Sequence, residues 1–513
     1  MDVDVIVVGA GPAGLMVAGD LARAGVSCAV LERKPERSGL SRAFAVHART
    51  LEELDARGVA DELIATGTPA PEMRLFGGAA LDLSRLPSRF AFVLVTPQYE
   101  TERVLEDRAR SLGADIRYGQ EVTGVTQQPD GVAVDIAGAG HVRARYVVGS
   151  DGIHSIVRHS LGIPFPGKAV VQSLMLAEVQ LSKQPPDLLT MKTSGDAFAF
   201  IAPFGDGWYR VIAWNRRNQV AESDPVSLKE VSDTARRAFG VDYGMHDPRW
   251  MSRFHSEERQ APRYRDGRVL LAGDAAHVHS PVGGMGMNTG IQDSANLGWK
   301  LAATVAGRAP NAILKSYETE RHPVGRQVLR ASGALLRVGL TGPPPLVAAA
   351  GLLAPAAARL PFIADRMAGT ISGLSICYPA PAGSHPLTGK RVPDWPLADG
   401  RRVYEALRAG RFLLASSSAL AADVADGYAG QVDTVAISDE AIPPGDGEGS
   451  PEIIALIRPD AYIAAVISRG DSPLPLPSRP REGTASPWEA ATWPADQQRL
   501  AIRAVLARWC GSA

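Results

Sequence analysis
The chain has 513 residues, more than one ordinary hydrophobic core holds, so two or three domains are expected. Hydrophobic residues make up 45% and charged residues 21%, as in a soluble globular protein. With 54 basic against 55 acidic residues, a net charge of −1, nothing in the overall charge favours nucleic acid or an anionic membrane as a partner. Cys28, Cys377 and Cys510 are far apart and form no CxxC pair. This argues against a disulfide framework or zinc site and for a reducing, cytoplasmic setting. Asp2 and Asp4 sit where a signal peptide carries basic residues.

The first element is the β-branched run Asp4–Val8, which reads as a strand buried on both faces. Gly9-Ala10-Gly11-Pro12-Ala13-Gly14 follows, then a helix over Leu15–Ala24 stopped by Gly25, then a strand from Ser27 to Leu31 that ends on Glu32. This strand, glycine loop, helix and strand form the start of a dinucleotide fold. Further on, Glu100–Leu112 reads as an amphipathic helix, and Val122–Val125 with Val132–Ile136 as a hairpin around Pro129-Asp130-Gly131. Val142–Val148 is a further strand. From about Val170 to Trp250, strand-like runs such as Phe198–Ile201 and Trp208–Trp214 alternate with polar turns and suggest an antiparallel sheet. Arg268–Ala272 is again a buried strand, and Ser294–Ala306 a helix. The uncharged stretch Val338–Ala358 is broken by Pro343-Pro344-Pro345 and Pro355. A spanning helix needs ~20 uninterrupted apolar residues, so a buried or interface helix is expected instead. Near residue 380 a small α/β domain begins, with strands at Phe412–Ala415, Val432–Ile437, Ile453–Ile457 and Tyr462–Ile467. Gln497–Trp509 is its closing helix.

The glycine loop carries the first chemical signal. Gly9 permits the tight turn, Gly11 lets the backbone approach a pyrophosphate, and Gly14 lets helix and strand pack closely. Pro12 and Ala13 precede the helix, whose N-terminus presents free N–H groups and a partial positive charge to phosphates. Glu32, followed by Arg33, can accept from ribose hydroxyls and disfavours a 2′-phosphate, which suits FAD or NAD better than NADP. An NAD dehydrogenase stays open on this loop alone. A second buried strand ends in Gly273-Asp274, where a carboxylate can take the hydroxyls of a ribityl chain. Beyond it, Pro281-Val282-Gly283-Gly284-Met285-Gly286-Met287-Asn288 leads into a helix. Its glycines let backbone N–H groups crowd against a flat ligand, and its N-terminus places positive potential beside the flavin N1–C2=O edge.

With these motifs in this order, the chain resembles the single-component, class A flavoprotein aromatic hydroxylases related to p-hydroxybenzoate and phenol hydroxylases. Within them it is most similar to the actinomycete polyketide-tailoring and rifampicin-type monooxygenases. The matching segments are Gly9–Gly14 with Glu32, Ser41-Arg42 through Arg49-Thr50, Gln98, Ser150-Asp151-Gly152, and Gly273–Asn288, spread over about the first 330 residues. The resemblance implies Arg42 near the FAD ribose and pyrophosphate, Gln98 against the flavin, and Asp151-Gly152 in FAD and NAD(P)H binding. Each has a plain alternative: Arg42 a solvated loop charge, Asp151 a turn residue, Arg103 a member of its helix's charged face. It also implies a thioredoxin-like C-terminal domain, because Arg458-Pro459-Asp460 matches an Arg-Pro-Asp-Gly turn with Ala461 in place of Gly. Without CxxC that domain has no disulfide chemistry.

The expected architecture is therefore α/β plus α+β. Residues 1–70, 98–169 and 262–330 form a Rossmann-like FAD-binding domain, and 71–97 with 170–261 an inserted antiparallel-sheet substrate domain. Residues 331–379 form a helical, Pro/Ala-rich connection and 380–513 the thioredoxin-like domain. FAD is the resident cofactor. NADPH, or NADH, is a transient co-substrate that visits a groove, since no second GxGxxG is present. The expected reaction is oxygen transfer from a flavin C4a-hydroperoxide to an aromatic ring, with Pro281, Gly283 and Gly284 bordering the flavin and no side-chain nucleophile. Phe198, Phe200, Pro203, Phe204 and Trp214 are pocket candidates that sheet packing explains as well, and Arg210 is expected on a surface strand position rather than on an acidic substrate. His277 and His279 lack metal-ligand spacing and read as loop or pocket histidines. The partners are an aromatic molecule and O2, with the protein a monomer or homodimer. High Ala, Gly, Pro and Arg usage fits a GC-rich actinomycete source and antibiotic biosynthesis. Two rivals remain open: Baeyer–Villiger insertion on the same fold, and a flavin-binding protein that sequesters an aromatic compound.

Overall fold
The computed structural model describes residues 2–37, 39, 41, 43–74, 80–281, 283–337, 340, 342, 349, 353, 356–357, 359–416, 424–438, 453–468 and 495–510. Arg42, Val282 and most of Val338–Ala358 therefore lie outside the described residues. The chain divides into two compact units. The first holds Met1–Leu54, Val59–Val305 and Leu314–Ser375; the second holds Asp55–Gly58, Ala306–Ile313 and Ile376–Ala513. Among the described residues no helix is long and apolar enough to cross a membrane.

In the first unit the β-branched run at the N-terminus becomes strand Val3–Val8, whose residues 5–8 are buried. It pairs in parallel with Cys28–Glu32 on one side and Gly140–Gly149 on the other. Gly140–Gly149 in turn pairs in parallel with Val269–Leu271, and Cys28–Glu32 with Asp115–Tyr118. Parallel strands buried on both faces need apolar runs rather than alternation, which is how these segments read. The loops after Val8, Gly149 and Leu271 consequently leave the same edge of adjacent strands, the place where open α/β sheets bind ligands.

A second sheet of six strands is antiparallel throughout, in the spatial order Thr190–Ser194, Ala197–Pro203, Tyr209–Asn215, Gly167–Leu181, Met245–Gln260 and His277–Val278. Strand alternation gives it two different faces. Met175, Ala177, Val179, Ile201, Val211 and Ala213 point to one side, where Val231 of helix Leu228–Phe239 packs on them. Ser227 caps that helix by accepting from the Glu230 N–H, and Gly240 ends it in the left-handed region. Leu174, Phe198 and Trp214, with the half-buried Phe200, Ile212 and Phe254, point to the other side and meet Leu336 of helix Ile313–Leu336.

Two features depart from expectation. The helix predicted from Ser294 begins at Met285 and runs to Val305. Its first turns are rich in Gly, Asn and Thr, poor helix formers that burial on nearly every side overrides. Met245–Gln260 is a 16-residue strand although its sequence is crowded with charge, because many of its side chains are only half-buried and its arginines find partners, Arg249 with Glu178 on the neighbouring strand and Arg253 with Glu230 on helix Leu228–Phe239.

In the second unit a four-stranded sheet has the order Val432–Ala436, Phe412–Ser416, Ile453–Ile457, Ile463–Ser468. The first pairing is parallel and the other two antiparallel. Its core gathers Val403, Tyr404, Leu407, Leu413, Ile457 and Ile463. The turn at Arg458–Ala461 holds a buried ion pair, Arg458 Nη2 to Asp460 Oδ2 at 2.5 Å, with the Tyr378, Tyr462 and Trp509 rings around the guanidinium. Ala461 takes φ +55°, a left-handed conformation that suits the glycine it replaces.

Candidate active site
The three glycine-bearing motifs converge at the carboxyl edge of the parallel sheet. Gly9 has φ +100°, and a Cβ there would lie 2.6 Å from the Ser150 carbonyl oxygen, so only glycine lets the first loop pack on Ser150-Asp151. A Cβ on Gly14 would lie 2.0 Å from the Gly9 oxygen, which fixes the close helix–strand contact, whereas one on Gly11 would meet nothing within 4 Å. Gly11 thus leaves open space at the N-terminus of helix Pro12–Arg23, which has no side-chain cap. Gly273 sits against Ala13, its would-be Cβ 3.1 Å from the Ala13 methyl, and Gly290 of the long helix closes on both. Glu32 reaches back over the loop: its carboxylate accepts from the Ala10 N–H at 2.9 Å and the Lys34 N–H at 3.0 Å. Arg33, Asp274 and Pro281 are exposed, and Gly11, Pro12, Ala13, Gly152, Gly283, Gly284, Gly286 and Met287 are half-buried along this edge.

The side chains that hold these backbones are mostly occupied with one another. Asp151 accepts from Ser155 Oγ at 2.5 Å and from the Val157 N–H at 3.2 Å, and so fastens the start of helix Ile156–Ser160. Arg158 of that helix donates to the Ala275 carbonyl at 2.9 Å, tying the Asp151-Gly152 loop to the Gly273-Asp274 loop. Gln98 spends its amide on the Ala43 N–H at 3.0 Å and on Glu102 at 2.7 Å, and its own N–H donates to Ser41 Oγ. Burial pushes the Glu102 carboxyl up to about 7 despite the Gln98 hydrogen bond. Asn288 accepts from the His47 N–H at 2.8 Å and donates to the carbonyls of Ala45 and Gly284 at 2.9 and 2.7 Å. Its side chain positions neighbouring backbone.

Beneath the Gly273 turn lies a buried charge network that the sequence did not reveal. Asp293 accepts from Arg321 Nε at 2.7 Å, from His277 Nε2 at 2.6 Å and from the Gly273 N–H at 3.3 Å. Burial alone raises the pKa of Asp293, but Arg321 and His277 hold it below the ordinary value. His277 is therefore a buried partner of Asp293, and His279 stacks on it with ring centroids 5.8 Å apart. Among the described residues no group of His, Cys, Asp and Glu has metal-holding geometry. Arg103, by contrast, pairs with Glu100, Glu62 and Asp107 on an exposed helix face.

Arg210 corrects the sequence reading most sharply. It is fully buried, not on the surface. Its guanidinium pairs with Glu178 at 2.6 Å, donates to the Ser41 carbonyl and lies 5.4 and 5.1 Å from the ring centres of Phe204 and Trp250. Desolvation lowers its pKa to about 10, opposed by Glu178. Because Arg210 pairs in register with Ala202 and Glu178, it shares a sheet face with Phe198, Phe200, Ile212 and Trp214. That face is apolar and aromatic at one end and charged at the other. Phe44 stacks on Phe200 at 5.2 Å while the Ser41 carbonyl meets Arg210, so these two residues touch the two ends. A cavity of about 330 Å³ lies nearby, lined by Thr66, Tyr99, Glu100, Phe204 and Asp206 among others. Pro203 is half-buried at the end of its strand.

The residues present fit FAD: a glycine-opened helix N-terminus, an acidic residue at the second strand's end, and a third loop delivered to the same edge. Comparison with known proteins agrees. Residues 2–332 match the FAD binding domain family model, and residues 385–479 match the aromatic-ring hydroxylase C-terminal model. A 12-dehydrotetracycline 5-monooxygenase/anhydrotetracycline 6-monooxygenase of Streptomyces rimosus is 40% identical over 486 residues, covering 90% of this chain and 95% of the relative. A rifampicin monooxygenase of Streptomyces venezuelae is 39% identical over 468 residues, covering 90% and 94%. Among solved structures, an aromatic hydroxylase from angucycline biosynthesis superposes with a TM-score of 0.83 at 36% identity, covering all of both chains.

Proposed function
The chain belongs to the FAD-dependent aromatic-ring hydroxylases, and from that membership we propose that it hydroxylates a polycyclic aromatic polyketide. It is a flavoprotein monooxygenase that uses FAD with NAD(P)H and O2. FAD, when bound, would supply the redox chemistry: uptake of a hydride from NAD(P)H and transfer of one oxygen atom of O2 to the substrate, the other leaving as water.

The chain's own residues bind, orient and exclude water. Gly11, Pro12 and Ala13 present the helix N-terminus to the diphosphate, and Glu32 accepts from the adenosine ribose. Asp274 takes ribityl hydroxyls. Gly286 and Met287 offer backbone N–H groups at the start of helix Met285–Val305, while Pro281, Gly283 and Gly284 border the ring system on its reacting side. Arg42 serves the ribose and pyrophosphate of FAD, and Asp151-Gly152 serves both FAD and NAD(P)H. Gln98 acts by holding Ala43 in place. The six-stranded sheet is the substrate-binding part, and the mixed four-stranded sheet of the second unit supports a thioredoxin-like, non-redox domain. A cytoplasmic location fits these roles.

The observation that carries the substrate reading is the two-ended inner face of the sheet. Beside the contact with Leu336, the half-buried Phe200, Ile212 and Phe254 offer an apolar wall for fused rings, and Arg210 with Glu178 marks its polar end. Fused aromatic rings stack on such walls, and one phenolic edge requires a polar neighbour. A screen of polycyclic phenols for accelerated NADPH-dependent flavin reduction, followed by product NMR, tests the reading. A ring-hydroxylated product supports it. A lactone or ester places the reaction in the Baeyer–Villiger class, and tight binding without O2 consumption would indicate sequestration.

A further inference from the structure
His47 has its side chain enclosed beside the Gly283-Gly284 turn. It lies immediately before helix Ala48–Asp55, and its carbonyl accepts from the Leu51 N–H at 3.0 Å, so the helix fixes where its ring points. The ring is 2% exposed, and Nε2 lies 2.8 Å from the Gly283 carbonyl oxygen. A carbonyl only accepts, so Nε2 carries the proton and donates. Burial lowers the ring's pKa to about 4, opposed by that hydrogen bond, and the imidazole stays neutral at working pH.

Gly283 and Gly284 both adopt left-handed φ values, +82° and +63°. Neither is part of a helix or strand. The turn is closed locally by the Gly284 N–H donating to the Pro281 carbonyl at 3.0 Å. Its two following carbonyls are then each held by a different side chain, Gly283 by His47 and Gly284 by Asn288. His47 and Asn288 are themselves joined, since the His47 N–H donates to Asn288 Oδ1. A Cβ on Gly284 would lie 2.9 Å from the Ala45 methyl and 3.5 Å from His47 Nε2, so the turn is seated directly on this segment. Side-chain hydrogen bonds of this kind pre-organise the backbone that a ligand meets.

We propose that His47 is a positioning residue for FAD: by donating to the Gly283 carbonyl it fixes Gly283 and Gly284 in the orientation the isoalloxazine ring requires. The inference rests on that turn bordering the flavin, as set out above. Holding the carbonyl in one direction also orients the Gly284 peptide and the start of helix Met285–Val305 that follows. Any leucine at position 47 fills the space and removes the donor, whereas glutamine keeps an N–H donor at a similar reach.

The test uses the purified full chain, stripped of FAD and re-titrated, with thermal melting of the apoprotein, the FAD dissociation constant and the visible absorption of the bound flavin as readouts. H47L is expected to weaken FAD binding at least fivefold and to shift the flavin absorption bands, while H47Q stays within about twofold of the original protein. A merely structural role lowers apoprotein melting and leaves the dissociation constant and bands of the folded fraction unchanged, and that result overturns the proposal. So does H47Q behaving like H47L. If H47L yields no soluble protein, H47N, whose amide stops short of Gly283, replaces it with the same expected ordering. G284A separates the two layers. If it leaves the flavin bands and affinity untouched, the turn does not border the flavin and both readings fall; if it alters them while H47L does not, only the role of His47 falls.

Discussion
Replacing Asp293 with alanine tests the buried network beneath the Gly273 turn. The carboxylate is fully buried and serves three donors, Arg321, His277 and the Gly273 N–H. Removing it leaves Arg321, itself fully buried, without that counter-charge, although its contact to the Thr289 carbonyl at 3.1 Å survives. Breaking a buried pair from one side costs about 3–5 kcal/mol, against a stability of about 5–15 kcal/mol for a typical domain. At about 2–4 °C per kcal/mol for a domain of moderate size, D293A should melt roughly 10 °C lower. Flavin fluorescence and tryptophan emission, followed together during heating, read this directly. FAD binds the folded form, so ligand at a hundred times its dissociation constant returns about 2.7 kcal/mol and should recover part of the loss. D293N, which keeps the shape and one acceptor, should fall between the two. A D293A protein that melts within 2 °C of the original and binds FAD equally would refute the claim that this network anchors the turn.

Further outcomes follow from the same structure. G14A places a Cβ 2.0 Å from the Gly9 oxygen, backbone that cannot yield, and should weaken FAD binding at least tenfold by fluorescence titration. R458A leaves Asp460 buried inside the Arg458–Ala461 turn. It should destabilise the second unit by about 3 kcal/mol in denaturant while the first unit still binds FAD in titration. The contribution of His47 to stability should fall with acid. The His47 pKa is lowered to about 4 from the ordinary 6.5, so its contribution is complete above pH 6.5 and is lost as the pH drops toward 4. Asp293, whose pKa is held below its ordinary 3.8, adds a further loss only below that value. Glu102, raised to about 7, acts in the opposite sense over the same range, so the His47 part is read by difference: a urea midpoint whose change between pH 7 and 4 is the same in H47Q as in the original protein would contradict it.

Much of the cofactor side was legible in the sequence because its signals are local. Gly9, Gly11, Gly14 and Glu32 sit within one strand–loop–helix–strand unit, and the structure shows the tight turn at Gly9 and the close helix–strand contact at Gly14 that their spacing suggests. Arg210 was not legible: its partner Glu178 is 32 residues away, and nothing in a single strand shows that a neighbouring strand brings a carboxylate opposite it. His47 and Asn288 are 241 residues apart, and Asp293 and Arg321 meet only after two helices pack. Met245–Gln260 hid for another reason, since its half-buried charges erase the alternation by which a strand is recognised. The charged spacing of Arg103 showed its surface role, because i,i+3 and i,i+4 partners lie in the same helix.

The central claim is that this chain, with FAD, passes one oxygen atom from O2 to an aromatic ring. The most direct measurement is a turnover of the holoenzyme with NADPH and a polycyclic phenol that accelerates flavin reduction, run under ¹⁸O2 in unlabelled water and read by mass spectrometry and NMR. One ¹⁸O atom per product, on a ring carbon, is expected. A product that carries oxygen from water, or a bound phenol released unchanged while NADPH and O2 are left unconsumed, would contradict it.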